Sequence, residues 1–402
     1  MSEMYESCDK IPIHIEVALR EDVNLGMDDL ESIILQRLSN NYHIFYNQME
    51  INGFEDIADN VKICDINYEE KNIISFWQAE FIIHIFRLSH NLCEKEFIEN
   101  EDDLPAAEQW ELPNLYLSGY WDSVVVDQII KKRLLGYTST SMQFSDAQVN
   151  TDIITCNRIM LLHGPPGTGK TTLAKALAQK TFIRQCHRYT SGLLLEINSH
   201  SLFSKWFSES GKLVMKLFDQ INDVAEDTET FVAVLIDEVE SITSTRTANS
   251  SEPGDAVRVV NSVLTCLDQL KRRKNVLVLC TSNMLSSIDP AFVDRIDFKV
   301  YIGNPNLLAR YQILYSCIIE LQNKGIIKPA VSLESWTSAD FNNFESNEYA
   351  LYNVAQLAEG LSGRSLRKLP MQVHAFHLDS RPYISYHSFI TGIRDALNSM
   401  NE

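Results

Sequence analysis

Residues 164–171 read GPPGTGKT and match the spacing GxxxxGK[ST]. An apolar run, IMLLH, precedes them, and a helix-forming stretch, TLAKALAQK, follows. Strand, glycine-rich loop and helix start form the context in which such a loop cradles phosphate. Gly164, Gly167 and Gly169 let the main chain curl until several N–H groups converge on phosphate oxygens. The helix N-terminus adds partial positive charge there. Lys170 is placed to reach the β- and γ-phosphates, and the Thr171 hydroxyl to ligate Mg²⁺. The expected nucleotide contacts are therefore Gly164, Pro165, Pro166, Gly167, Thr168, Gly169, Lys170, Thr171 and Thr172.

A second cluster supplies acids. Residues 231–238 read FVAVLIDE, an apolar strand that ends in two carboxylates. Open α/β sheets bind their ligands at that C-terminal edge. Asp237 is expected to hold Mg²⁺, directly or through water, and Glu238 to act as general base on the attacking water. The plain alternative is an acidic N-cap on the next helix, which the upstream phosphate loop disfavours. A further apolar run, VLVLC, ends in Thr281, Ser282 and Asn283, and Asn283 is the candidate to reach the γ-phosphate and the water.

These side chains need elements to hold them. Five short apolar runs read as buried strands: Ile159–His163, Leu193–Ile197, Phe231–Ile236, Val276–Cys280 and Phe298–Ile302. Helical patterns separate them, the sign of a parallel sheet with helices on both faces. After Gly303-Asn304-Pro305 the chain reads as helical to its end, a C-terminal lid. Ahead of this module lies a small α+β domain. Ile11, Ile13, Ile15 and Val17 alternate with His14 and Glu16 as a strand, and residues 28–38 read as a helix with Leu30, Ile33, Ile34 and Leu38 on one face. Strands are expected at 61–67 and 80–88. The charged, Pro-bearing stretch 94–112 reads as a hinge or linker. The expected fold class is α/β, with domains at 1–95, 96–112 (linker), 113–305 and 306–402.

Charge and composition narrow the function. The formal net charge is −19, and residues 1–110 hold 24 acidic and 7 basic side chains. A motor that runs on nucleic acid should carry basic patches, because phosphate neutralisation dominates that binding. An acidic front end suits a protein partner with a basic face. A DNA-directed loader is thereby disfavoured. A scaffold without turnover has no use for the general base Glu238. The eight cysteines form no CxxC pair and no zinc-like cluster, and read as reduced thiols. The N-terminus has no signal-peptide pattern, and no apolar run nears the ~20 residues of a membrane helix.

The segments HGPPGTGKTTLAKALAQK, EINSHSLFSKWFSESGKLV, LIDEVESIT, DAVRVVNSVLTCLDQLKR, TSN…IDPAFVDRID and EGLSGRSLRKLP resemble the pachytene-checkpoint (thyroid-receptor-interactor type) AAA+ ATPases. The likeness runs through about 110–400, is strongest over 158–305, and the first 100 residues resemble the family only in size and position. It implies a five-stranded AAA+ module with a helical lid, ATP/ADP and Mg²⁺ as cofactors, and a homohexameric ring. It also implies ATP-driven remodelling of HORMA-domain proteins, often through a HORMA-like adaptor, from closed to open forms. The settings implied are meiotic chromosome axes and the spindle checkpoint, in nucleus and cytoplasm, with no direct nucleic acid and no membrane. Residue by residue, Asn283 matches the first sensor, Arg295 the trans-acting arginine finger and Arg364 the second sensor, with Arg367 its alternative three residues on. Trp206 and Phe207 match the pore loop that grips substrate. Their rival reading is packing on an amphipathic helix through the pairs Leu202/Trp206 and Phe203/Phe207. For Arg295 the rival is an ion pair with Asp294 or Asp297. Residues 243–255 are a second pore-loop candidate. One arginine follows the first sensor where many relatives place two.

Overall fold

The computed structural model describes residues 10–46, 49–66, 73–97, 105–150, 153–198, 210–243, 253–336, 338–378 and 381–401. The N-terminal domain begins with β1 (Ile11–Leu19), α1 (Met27–Asn41), β2 (Ile44–Tyr46), β3 (Ala58–Ile66), β4 (Ile73–Ser75) and β5 (Ala79–Phe86). β1 lies at the centre of a three-stranded sheet, antiparallel to β3 and parallel to β5, while β2 and β4 form a separate antiparallel pair. The period-two pattern of β1 sends Ile13, Ile15 and Val17 into a core with Leu30, Ile34 and Leu38 of α1. The helix and strands expected here are present, with ends shifted by a few residues.

The ATPase module opens earlier than its sequence suggests. β6 (Glu94–Phe97) and β7 (Pro105–Leu112) are antiparallel strands on the edge of the large sheet, and β7 pairs with β9 (Ser191–Asn198) from Ala107↔Ile197 to Leu112↔Gly192. The 96–112 linker is thus corrected: residues 105–112 are a strand. The reason is alternation masked by charge. Ala107 and Leu112 are buried on opposite faces of the sheet, whereas Glu108 and the exposed Glu111 keep the strand's composition polar. Pro105 is tolerated because it starts the strand.

Then follow α2 (Tyr120–Ser123), α3 (Gln128–Asp146), β8 (Ile159–His163), α4 (Lys170–Arg184), β9, α5 (Ser210–Val224), β10 (Thr230–Asp237), α6 (Glu240–Thr243), α7 (Pro253–Leu270), β11 (Val276–Ser282), α8 (Pro290–Asp294) and β12 (Phe298–Tyr301). The five expected strands are all present and parallel, in the order β12-β8-β11-β10-β9, and β7 and β6 extend the sheet to seven. Alternate residues of β10 enter opposite layers. Phe231, Ala233 and Leu235 meet α3 and α4, while Val232, Val234 and Ile236 meet α5 and α7. The lid is α9 (Leu307–Asn323), α10 (Asn347–Leu357), α11 (Gly363–Phe376) and α12 (Tyr386–Asn401), closed around a core of its own. No described helix is long and apolar enough to cross a membrane. The described cysteines are free.

The polar face of β1 is not a solvent face. Glu16 is buried and pairs with Lys180 of α4, and Cys64 of β3 also lies against Lys180. His14 stacks on His84 of β5, and the two rings share a 2.9 Å hydrogen bond, one donating to the other. Helix α4 thus carries the phosphate-loop lysine at its first residue and the N-terminal domain's buried ion pair ten residues later.

Burial, followed by the nearby Arg184 guanidinium, lowers both histidines to about 3. For His14 the second ring adds to this and Glu16 opposes it; for His84, His187 and Lys180 add to it. Both rings are neutral in the fold, so the unfolded chain binds more protons below its own histidine pKa of about 6.5. The stability of this junction is complete above about pH 6.5 and is lost as pH falls toward 3. Thermal midpoints measured from pH 7.5 to 4.5 should decline below 6.5, with His84 contributing a slope of up to about 1.4 kcal/mol per pH unit. A His84→Gln variant should show a shallower decline; an unchanged slope would contradict the assignment.

Candidate nucleotide site

The loop 164–169 leaves β8 and enters α4 along a path on which Gly164, Gly167 and Gly169 all have positive φ. Gly164 has φ +145°, and a Cβ there would lie 2.1 Å from the Ile302 carbonyl oxygen. Gly169 has φ +91° at the N-cap of α4, with Val124 packed against it. The Gly164 N–H donates to the Ser282 carbonyl at 3.2 Å, which ties the loop to the end of β11. Thr168 closes the turn by donating to the Pro165 carbonyl at 3.0 Å. Pro166 lies within this turn, and Thr172 lies in the first turn of α4.

The Lys170 ammonium is buried and donates to the carbonyls of Gly164 and Pro165, both at 2.8 Å, and to Asn283 Oδ1 at 2.9 Å. Burial lowers its pKa, against the opposing charges of Glu240, Asp237 and Glu238. Thr171 donates to Asp237 Oδ1 at 2.8 Å. A hydroxyl and a carboxylate held together at the C-terminal edge of the sheet are hard oxygen donors of the kind that suit Mg²⁺.

Glu238 follows Asp237 with φ +52°, a left-handed conformation rare for a residue with a Cβ. Its N–H donates to Thr281 Oγ1 at 3.1 Å, and the next N–H, of Val239, donates to the Thr281 carbonyl at 2.9 Å. The Thr281 hydroxyl in turn donates to Asp237 Oδ1. Asn283 lies between the cation and the base: its Oδ1 faces Lys170, and its Nδ2 stands 3.5 Å from Glu238 Oε1. Its own N–H donates to Glu240 Oε1 at 2.8 Å. Strand order explains the meeting. β8, β11 and β10 are parallel neighbours, so their C-terminal ends deliver the loop, Asn283 and the acids to one edge.

The lid separates the two arginines that sequence left open. The Arg364 N–H donates to the Gly167 carbonyl at 3.0 Å, and its Cβ lies 3.1 Å from where a Gly167 Cβ would be. Its charge also acts on Lys170. Arg367 instead donates to the Ser123 carbonyl at 2.6 Å. It therefore holds the strap of residues 123–125, in which Val124 packs on Gly169 and Val125 on the lid core. Arg295 is elsewhere. Its guanidinium grips Asp268 of α7 in two hydrogen bonds, at 2.9 and 2.8 Å, and donates to the Ala291 carbonyl at 2.8 Å. The ion pair is with Asp268, not with Asp294 or Asp297. Asp297 instead accepts from Tyr137 and Asn157. Trp206, Phe207 and residues 244–252 of the second pore-loop candidate lie outside the described residues.

Three family models match the chain in order: the TRIP13 N-terminal domain over residues 8–91, the ATPase family associated with various cellular activities (AAA) over 160–304, and the TRIP13-like AAA+ ATPase lid C-terminal domain over 306–400. Pachytene checkpoint protein 2 homologues from Gallus gallus and Homo sapiens are each 42% identical to it. The first alignment covers 96% of this chain and the second 97%, each with 93% of the relative. The chain belongs to the pachytene checkpoint protein 2 family. It is an AAA+ ATPase and binds nucleotide, as that membership entails. The solved structure of C. elegans PCH-2 superposes with a TM-score of 0.79 at 33% identity, covering 97% of this chain and 99% of that one. A structure of the E. coli MS115-1 HORMA:CdnC:Trip13 complex shares the fold, with a TM-score of 0.54 at 19% identity over 71% of this chain and 93% of that one. The likeness to this family therefore reaches the N-terminal domain, beyond the resemblance in size and position noted from sequence.

Sequence reasoning passed over several parts of this family member's site. Thr281 stood in view beside Asn283, and its place at the end of a buried strand was the available signal. Glu240, Asp268, Ser123 and Val124 carry no local signature, since their roles arise from distant segments.

Two measurements test the geometry. Gly164→Ala should lower the thermal midpoint and abolish nucleotide binding, because the new Cβ meets main chain that cannot yield; a left-handed conformation alone costs about 1–2 kcal/mol for other residues. Arg364→Ala should weaken ATP binding or turnover by roughly tenfold or more, as expected for a lost charged contact of about 1.5–3 kcal/mol. Arg367→Ala should act chiefly on lid stability. The reverse ranking would place Arg367 at the phosphates.

Proposed function

We propose that this chain forms a homohexameric ring that uses ATP hydrolysis to remodel HORMA-domain proteins, taken up directly or through a HORMA-like adaptor. The observation that carries the ATPase mechanism is the continuous set of contacts from Lys170 through Asn283 to Glu238, beside the Thr171–Asp237 pair. The remodelling reading is supported by the family's N-terminal domain, AAA module and lid in one chain. A Trip13 of the same fold has also been solved in a complex with HORMA.

In this reading the main-chain N–H groups of residues 164–171 bind phosphate oxygens, and Lys170 exchanges its carbonyl partners for the β- and γ-phosphates. Thr171 and Asp237 hold Mg²⁺, which supplies charge neutralisation for the transferred phosphoryl group. Glu238 accepts a proton from the attacking water, and its strained main chain, held by Thr281, aims the carboxylate at that water. Asn283 reports the γ-phosphate to Glu238. Arg364 brings the lid's charge to the same phosphates. Arg295 acts on the neighbouring subunit, and Asp268 holds its planar guanidinium in one orientation until the ring closes. Trp206 and Phe207 grip an extended substrate segment in the pore. The acidic N-terminal domain receives the protein partner. The settings are meiotic chromosome axes and the spindle checkpoint, in nucleus and cytoplasm, without direct contact to nucleic acid or membrane.

The test is ATP turnover and conversion of a closed HORMA-domain protein with its adaptor. Glu238→Gln should bind ATP, lose about 10²–10⁴-fold in turnover and trap the partner. Arg295→Ala should lose about 10³-fold or more with ATP binding intact, and should poison wild-type rings when mixed in. Trp206→Ala should hydrolyse ATP without converting substrate. Normal conversion by Trp206→Ala would return those aromatics to packing roles, and monomeric turnover equal to that of the assembled form would remove the trans role of Arg295.

A further inference from the structure

Four large apolar side chains stand in water at one corner of the N-terminal domain. The ribbon β2–β4 has an inner face, Phe45 and Ile74, and an outer face, Ile44, Tyr46, Ile73 and Ser75. The inner face is packed: Phe45 meets Phe76 and Phe81 in a cluster of rings. On the outer face Ile44 is 52% exposed, Tyr46 48% and Ile73 57%, and Tyr46 lies directly across from Ile73. Trp77, two residues beyond Ser75, is 70% exposed. Single exposed apolar residues are ordinary, but Ile44, Tyr46 and Ile73 on one face of the ribbon, with Trp77 in the turn that directly follows it, have the composition of an interface centre.

The charge around the patch selects its occupant. Glu50, four residues past β2, and Glu80, in β5 a few residues past β4, are exposed, and residues 1–93 hold 17 acidic and 6 basic side chains, a net charge of −11. An anionic membrane or nucleic acid is repelled by such a surface, and a second copy of the chain brings the same negative charge to the same patch. A protein surface with apolar side chains rimmed by lysine or arginine is attracted, and the partner class proposed above is protein. The patch also lies on the domain that is docked, through Glu16 and Lys180, on the helix that begins at Lys170.

We infer that the outer face of β2–β4 with Trp77 is the surface on which the ring takes up its HORMA-domain partner, through apolar side chains flanked by basic ones. This inference rests on the remodelling function proposed above. The experiment uses the full chain in the Glu238→Gln form with ATP and measures capture of a purified, closed HORMA-domain protein with its adaptor. Trp77→Ser should weaken capture at least about tenfold, and Tyr46→Ser should weaken it also, with ATP binding and thermal midpoint unchanged. Raising salt from about 0.05 to about 0.5 M should weaken capture by the unaltered patch, because exposed charges are screened. Undiminished capture by both variants overturns the surface assignment and leaves the remodelling function standing. Absence of capture by the unaltered ring overturns the remodelling function, and this inference falls with it.

Discussion

The Thr281 hydroxyl donates to the Asp237 carboxylate and accepts from the Glu238 N–H, and it does so almost wholly out of solvent. On this one group the chemistry of the site converges. It holds Asp237 and Glu238 in fixed relation, and it holds Glu238 in a main-chain conformation that costs of order 1–3 kcal/mol. Such strain persists only where its surroundings over-determine it. Here the parallel pairing of β10 with β11 does so, since both strands are buried on both faces and cannot slip register without exposing a layer of the core.

Much of this was legible because the phosphate loop and the acidic pair are local. Residues 164–171 and 237–238 are each read within one strand and the turn after it, so periodicity and residue type suffice. The strand order was not written locally, yet five buried runs alternating with helices admitted few arrangements. The misreading of 105–112 came from the opposite situation. The strand lies second from the edge of the sheet and carries acids among its apolar residues, so Glu108 and Glu111 diluted the signal that Ala107 and Leu112 carry. Glu16 shows a related limit: a carboxylate between Ile15 and Val17 carries no local sign of burial, and only its partner Lys180, 164 residues away, makes that burial tolerable. Arg295 shows the remaining limit. Its neighbours in sequence are two aspartates, but it pairs with Asp268 from another helix.

Helix α4 unites the chain's two ends of activity. Its first residue holds the glycine-rich loop, its apolar side packs under the sheet, and its tenth residue beyond Lys170 receives the N-terminal domain. The rise along those ten residues is about 15 Å, within a single rigid element. The N-terminal domain and the nucleotide site are therefore joined by one helix rather than by a chain of loops.

The contact between lid and phosphate loop has a different character from all of these. It runs from the Arg364 N–H to the Gly167 carbonyl, main chain to main chain. Nineteen of the twenty amino acids at position 364 can make that bond; proline alone cannot. A substitution at this position can therefore change the charge beside the phosphate loop while the main-chain bond from lid to loop stays made.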